Sequence, residues 1–220
     1  MRYRRLATCF IGLLVLPVIC HAQVKDAGLW LQASAKKKLT QSFSVELGQA
    51  LRWNENVSEL GSAFTEIGGS YKLMRRLEAS AFYRFGQERE PDNHYSQRHR
   101  YYIDLSYKIK FKPLSLVLRE RYQSSYNDIN RREKGDVAKN YLRSRLTLKY
   151  NLEKKYTPYL ESEIFYRMDE WVTKVRFRGG VDYELNKFSS IELFYMINKE
   201  VQVKNPWTSF ITGVSYSYSF

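Results

Sequence analysis

The chain has 220 residues, of which 44% are hydrophobic and 27% charged, and its formal net charge at pH 7 is +13. Both cysteines lie within the first 22 residues, at Cys9 and Cys20. This excludes a disulfide, a reactive thiol and a cysteine metal site from the rest of the chain.

Residues 1–22 have the pattern of a cleaved secretory signal. Three arginines in the first five residues precede an apolar run over 6–19, which is shorter than the about 20 residues that a membrane-spanning helix needs. We predict removal of 1–22 and a single domain over 23–220, which carries 33 basic and 23 acidic residues. For an exported basic chain we expect anionic lipid as the counter-charge rather than nucleic acid.

The remaining chain alternates apolar and polar residues with a period of two, which indicates β-strands. In residues 39–53, leucine, phenylalanine, valine and tryptophan share one face, and serine, threonine, glutamate and arginine share the other. Ten segments show this pattern: 39–53, 63–73, 77–87, 98–111, 114–126, 141–150, 159–168, 171–185, 189–199 and 208–220. No run of 18 apolar residues follows the signal, so no transmembrane helix is predicted.

Residues 29–35 are a candidate eleventh strand, with Trp30 on its polar face. Bacterial single-chain barrels have even numbers of strands. We therefore predict about ten wall strands with 29–35 associated with them, and twelve strands as the alternative.

The connections between these segments alternate between short turns and longer polar loops. This alternation, with aromatic residues at the ends of many apolar faces, predicts an all-β, antiparallel, up-and-down transmembrane β-barrel. The chain ends on a strand with Tyr216, Tyr218 and Phe220 on its apolar face. Such an end is typical of outer-membrane barrels, and we predict that it is the signal read by the barrel assembly machinery.

The polar faces carry a ladder of charged residues that we expect to point into the barrel, because residues two apart share a face. If the short turns close tight hairpins, Asp104 lies opposite Arg121, and a pair of glutamates lies between two pairs of arginines. In this register Arg143 and Arg145 oppose Glu163 and Glu161, which in turn oppose Arg176 and Arg178. The predicted lumen network consists of Arg98, Arg100, Asp104, Arg119, Arg121, Arg143, Arg145, Glu161, Glu163, Arg176 and Arg178.

Two interpretations of this network are open. The favoured one is a salt-bridged filling of a narrow lumen, because about ten strands leave little space once arginine and glutamate side chains are packed inside. The other is a conduction path or an anionic substrate site.

Catalytic candidates are few. His99 and Ser124 are predicted to be diagonal neighbours on the outer face, where a serine and histidine would suit a lipid-modifying enzyme, but a nucleophile also needs an orienting third group. Glu120 shares their face about 13 Å along the strand, too far to orient His99. No metal site, phosphate-binding glycine loop or cofactor site is recognised, so we predict no catalytic activity and no cofactor.

Several short motifs recur in an order that is similar to a known family. They are Trp30, Lys37-Lys38-Leu39, Leu51-Arg52-Trp53-Asn54, Arg98-His99-Arg100, Arg119-Glu120-Arg121-Tyr122, Arg143-Ser144-Arg145, Glu161-Ser162-Glu163-Ile164-Phe165 and Arg176-Phe177-Arg178-Gly179-Gly180. With them the chain resembles the domain-of-unknown-function 2490 family of small bacterial outer-membrane proteins. The resemblance implies a barrel and brings no established activity.

Taken together, the sequence predicts an integral outer-membrane barrel of a Gram-negative-type envelope, with a structural, minor transport or surface-interaction role. A lipid-modifying enzyme and a narrow channel for small anions are the alternatives. The expected partners are outer-membrane lipid, lipopolysaccharide and the assembly machinery.

Overall fold

The computed structural model describes residues 24–90, 92–126, 138–152, 155–203 and 205–220, so the predicted signal lies outside the described residues. In this part of the chain eleven strands form one closed barrel. The strands are β1 (Val24–Lys38), β2 (Phe43–Asn54), β3 (Glu59–Lys72), β4 (Leu77–Arg89), β5 (Tyr95–Phe111), β6 (Leu114–Tyr126), β7 (Lys139–Tyr150), β8 (Tyr156–Arg167), β9 (Val172–Glu184), β10 (Ser189–Glu200) and β11 (Trp207–Ser219).

Consecutive strands pair antiparallel, and the barrel closes where β1 runs parallel to β11. The predictions of ten and of twelve strands are therefore wrong for the described chain, because residues 29–35 belong to a full wall strand. An odd number of strands in up-and-down order forces one parallel pair. That pair places Val24 beside Trp207, so Val24 and Phe220 lie at opposite ends of the barrel.

β1 is held at both ends as well as along its sides. Near its start, the Asp26 carboxylate accepts a hydrogen bond from the Asn56 backbone N–H at 2.9 Å, and the Ala27 carbonyl accepts one from Val57 at 3.1 Å. Near its end, the Phe220 N–H donates to the Lys36 carbonyl at 3.0 Å, and Lys38 N–H donates to the Phe220 carbonyl at 3.1 Å. A closed wall leaves no unpaired strand edge, which explains why this weakly patterned segment joins it.

The two faces of the wall differ as the alternation predicts. On the outer face, large apolar side chains are more than half exposed, including Ile67 at 57%, Ile103 at 59% and Leu193 at 58%. The charged side chains of the predicted ladder are on the opposite face, where Glu163 is 0% exposed and Asp104 5%. In a closed barrel the buried face is the inner one, so charges fill the inside and apolar groups cover the outside.

Aromatic rings from neighbouring strands occupy the space beside two inner glycines. A Cβ at Gly213 of β11 would collide with the ring of its neighbour Phe194 on β10, and one at Gly68 of β3 would collide with Phe82 of β4. Glycine is needed at both positions because the ring occupies the space of a side chain. Phe194 then packs with Met196, Ile211 and Trp30 in a small apolar cluster.

We expect deletion of Phe220 to lower the amount of folded barrel more than the amount of exported protein, because it removes the two hydrogen bonds that Phe220 makes to β1. Each such bond typically contributes about 1 kcal/mol. The measurement is membrane fractionation followed by electrophoresis of unboiled and boiled samples, since closed barrels migrate anomalously until boiled. Phe188→Ala is the matched control, because Phe188 is an exposed aromatic residue at the same end of the barrel. A truncated protein that folds to normal levels would contradict the prediction.

Candidate functional site

Glu163 of β8 is the centre of the largest ion-pair cluster in the described chain. Its carboxylate oxygens lie 2.7 Å from Arg119 Nη2, 2.8 Å from Arg143 Nη2, 3.3 Å from Arg176 Nη1 and 3.4 Å from Arg145 Nη2. These arginines come from β6, β7 and β9. We call these five residues the Glu163 cluster.

The cluster forms in a register that differs from the predicted one on one side. Glu163 lies opposite Arg176 and Glu161 opposite Arg178, which confirms the predicted pairing of β8 with β9. On β7, however, Arg145 is the residue opposite Glu163, so the predicted pairing of Arg143 with Glu163 is wrong by two residues. The β7–β8 connection is longer than a tight hairpin turn, so it does not fix the register of the two strands. A register shift of two residues leaves every side chain on the same face of the sheet, so the sequence pattern cannot detect it.

The arginine side chain is long enough for Arg143 to reach Glu163 despite this register shift. Arg143 is opposite Phe165 in register, yet its Nε and Nη2 still donate to Glu163 Oε1 at 3.1 and 2.8 Å. Arg119 reaches Glu163 from β6, with all of β7 between their strands. The Glu163 cluster therefore connects four consecutive strands from β6 to β9.

Asp104 and Arg121 form a second ion pair beside this cluster. They are opposite each other on β5 and β6, as predicted from the turn. Arg121 Nε and Nη2 donate to the two carboxylate oxygens, each at 2.6 Å, and its guanidinium carbon lies 3.6 Å from the ring centroid of Tyr102. Arg119 Nη1 is 3.8 Å from Asp104, which links this pair to Glu163.

Glu161 and Arg178 do not form the ion pair that their register suggests. Glu161 is instead 3.1 Å from Arg145, and Thr147 donates a hydrogen bond to it at 3.3 Å. Arg178 pairs with Glu192 of β10 and stacks 3.7 Å from the ring centroid of Phe194. Sequence pattern missed Glu192 because no other charged residue lies two positions away on its strand, whereas the prediction relied on charges in pairs.

Arg98 and Arg100 lie outside the Glu163 cluster, although both were predicted to belong to one network. Arg98 pairs with Glu88 at 3.1 Å and with Glu90 at 2.7 Å near one rim of the barrel. Arg100 donates from Nε to Ser125 Oγ at 3.1 Å.

The outer-face candidates for catalysis are not assembled into a triad. His99 Nδ1 is 2.7 Å from the hydroxyl of Tyr83, and its ring packs 5.1 Å from that of Phe85. Ser124 is opposite Tyr101, so it is diagonal to His99 as predicted. The group that orients His99 is thus a tyrosine rather than a carboxylate.

Glu120, a carboxylate on the apolar outer face, is the middle residue of β6. Ser144 of β7 donates a hydrogen bond to it at 2.6 Å. The hydrogen bond from Ser144 supplies this mid-strand carboxylate with a donor.

Neither a metal-binding cluster nor a membrane-spanning helix is found within the described residues. No group of three or more histidine, cysteine, aspartate or glutamate side chains is placed to hold a metal ion. No helix in this part of the chain is long and apolar enough to cross a membrane.

Residues 27–209 match the model of a family described as "Protein of unknown function (DUF2490)". The chain belongs to this family. The resemblance deduced from the arginine, tryptophan and glutamate motifs is thereby confirmed. No curated protein matches the chain.

The barrel is similar to solved structures of low sequence identity. A NanC porin matches with a TM-score of 0.50 and 10% identity over 78% of this chain and 86% of that one. The β domain of the Bordetella autotransporter BrkA matches with a TM-score of 0.44 and 10% identity, over 79% and 82% of the two chains. The first similarity supports the porin-like barrel fold, and at this identity it shows the fold alone.

We expect Glu163→Gln to destabilise the barrel by about 3–5 kcal/mol, because it leaves four guanidinium groups without their shared carboxylate. Arg176→Gln in the same protein removes part of the resulting repulsion, so the double variant should lose less than the sum of the single losses. The measurement is a double-mutant cycle on urea unfolding in detergent.

The control for this cycle is Asp182→Asn, which breaks the pair with Lys149 at 2.8 Å on the same inner face. Both partners are about one-third exposed, so its loss should cost at most about 1 kcal/mol. Strict additivity of Glu163→Gln and Arg176→Gln would show that the two side chains do not interact.

Proposed function

We propose that the protein is an integral outer-membrane barrel whose interior is closed by the Glu163 cluster, and that it has a structural or surface-interaction role without catalysis. The observation that carries the proposal is the complete burial of Glu163 under arginines from three different strands. The family and the porin-like fold support a membrane barrel.

The outer surface supports the membrane position. Its mid-strand side chains, such as Ile67 and Ile103, are large, apolar and exposed, as expected of groups that contact lipid. Each strand has 12–17 residues, more than the 9–11 that a tilted strand needs to cross a bilayer. Every strand has two paired neighbours, and a bilayer requires this because it supplies no hydrogen bonds to the backbone.

The charged interior supports closure rather than conduction. Arg119 of β6 and Arg176 of β9 both pair with the Glu163 carboxylate. Their side chains therefore extend across neighbouring strands instead of each remaining over its own strand. Asp104 and Arg121 extend the same layer to β5. A layer of this kind closes the passage while its members stay paired, and each broken pair would leave an uncompensated buried charge.

We expect the purified wild-type protein to show no steady conductance in a planar bilayer. The double variant Arg119→Ala/Glu163→Ala should conduct, because it removes the side chains that cross from β6 to β8. Lys149→Ala/Asp182→Ala is the control, since it removes an equal number of charges outside the cluster, and it should stay closed. Steady anion-selective conductance by the wild type would contradict the closed interior and favour the channel alternative.

We expect the lipid composition of cells to be the same with the wild-type protein and with His99→Ala. His99 Nδ1 is hydrogen-bonded to Tyr83, and Glu120 is hydrogen-bonded to Ser144. His99 and Ser124 therefore lack a carboxylate that orients the imidazole. Mass spectrometry of extracted lipids is the measurement, with a strain that lacks the protein as the reference. A lipid modification that disappears in His99→Ala would support the lipid-modifying enzyme instead.

A further inference from the structure

A surplus of arginine lies near Glu66 on the inner face, beside the Glu163 cluster, whose Arg176 is 5.6 Å from the Trp30 ring centroid. Arg84 Nε donates to the Glu66 carboxylate at 2.7 Å. Arg52 and Arg100 are on the same face, and neither makes an ion pair with any residue that the structure describes. We call Arg52, Arg84, Arg100 and Glu66 the Glu66 cluster, in which the single carboxylate pairs with one of three guanidinium groups.

Two of these arginines are oriented by aromatic rings. The guanidinium carbon of Arg52 lies 3.7 Å from the ring centroid of Trp30 and 4.6 Å from that of Phe64. The guanidinium carbon of Arg84 lies 3.8 Å from the same Phe64 ring. Rings cover the faces of a guanidinium but cannot accept the N–H groups at its edge. Arg52 Nε is accordingly buried without a hydrogen-bond partner in the described structure.

Stacking explains where these side chains lie but not why so many positive charges are together. Arg84 and Arg100 are directly opposite each other on β4 and β5, an arrangement of like charges that destabilises a sheet. Arginine cannot escape this repulsion by losing its proton. As whole residues, Arg52, Arg84 and Arg100 are partly exposed rather than fully buried, so a small solute inside the barrel can approach them.

The missing partner has a defined chemistry. Guanidinium edges form paired N–H···O bonds with groups that carry two or more oxygens and a negative charge. We propose that Arg52, Arg84 and Arg100 form a binding site for a small oxyanion, a phosphate or carboxylate group, in the half of the barrel nearer residues 55–58 and 92–94. This site goes beyond the closed interior proposed above and does not depend on it, because the two proposals are tested by binding and by conductance.

The test compares Arg52→Gln and Arg100→Gln with the wild type. Arg98→Gln is the matched control, because Arg98 is on the same strand face as Arg100 but is already paired with Glu88 and Glu90. The measurement is thermal unfolding in detergent as inorganic phosphate replaces chloride at constant ionic strength, which holds general screening constant. A second titration uses succinate instead of phosphate, so that the site is also tested with carboxylate groups.

We expect phosphate or succinate to raise the Tm of the wild type and of Arg98→Gln, and to bind the other two variants at least tenfold more weakly. Without added oxyanion, Arg100→Gln should be at least as stable as the wild type, because it removes the charge opposite Arg84. A purely structural arginine would give the opposite result, a loss of stability without a change in anion dependence. That result, or an equal anion effect in all four proteins, would overturn the proposal.

A further titration distinguishes the source of the oxyanion. A phosphorylated glycolipid dispersed in the same detergent presents phosphate on a lipid anchor, whereas inorganic phosphate and succinate are free solutes. A stabilisation by the free anions alone assigns the site to a solute, and one by the glycolipid alone, lost in Arg52→Gln, assigns it to a lipid headgroup. No stabilisation of the wild type by any of these probes would overturn the site.

Discussion

The structure depends on accommodating permanently charged guanidinium groups inside a closed wall. Arginine stays ionised at any accessible pH, so each inner arginine needs a carboxylate, an aromatic face or solvent. The Glu163 cluster meets this need with one fully buried carboxylate that four arginines share. Because those arginines come from β6, β7 and β9, the same contacts that neutralise charge also tie four strands together.

Aromatic rings connect this electrostatic layer to the backbone of the wall. Phe194 lies over Gly213 and carries Arg178, which pairs with Glu192. In the same way Phe82 lies over Gly68 and stacks on the ring of Tyr102. The Arg121 guanidinium packs on Tyr102 and donates a hydrogen bond to Asp104. A glycine on one strand thereby decides where a charge on another strand is held, and this explains how a narrow barrel contains so many long side chains.

The Glu66 cluster follows the same pattern but leaves its charge uncompensated. Arg52 lies 3.7 Å from the Trp30 ring centroid, the same distance as Arg178 from that of Phe194, yet no described carboxylate pairs with Arg52. Aromatic rings therefore position arginines in both clusters. The clusters differ in that the Glu163 cluster contains a carboxylate shared by its arginines, whereas Arg52 has no carboxylate partner among the described residues. In the proposed division of roles, the Glu163 cluster closes the barrel and the Glu66 cluster binds an anion.

The sequence by itself determined the strands, their two faces and the pairs that tight turns dictate, such as Asp104 with Arg121, because period-two alternation and short turns are local properties. It could not determine the pairing of Arg145 with Glu163, since the longer β7–β8 connection allows more than one register on the same face. It also missed the role of residues 29–35 and of Arg52. Only the closed barrel decided these, because the parallel seam of β1 with β11 joins the two ends of the described chain, and Arg52 is placed by rings from the strands on either side of β2.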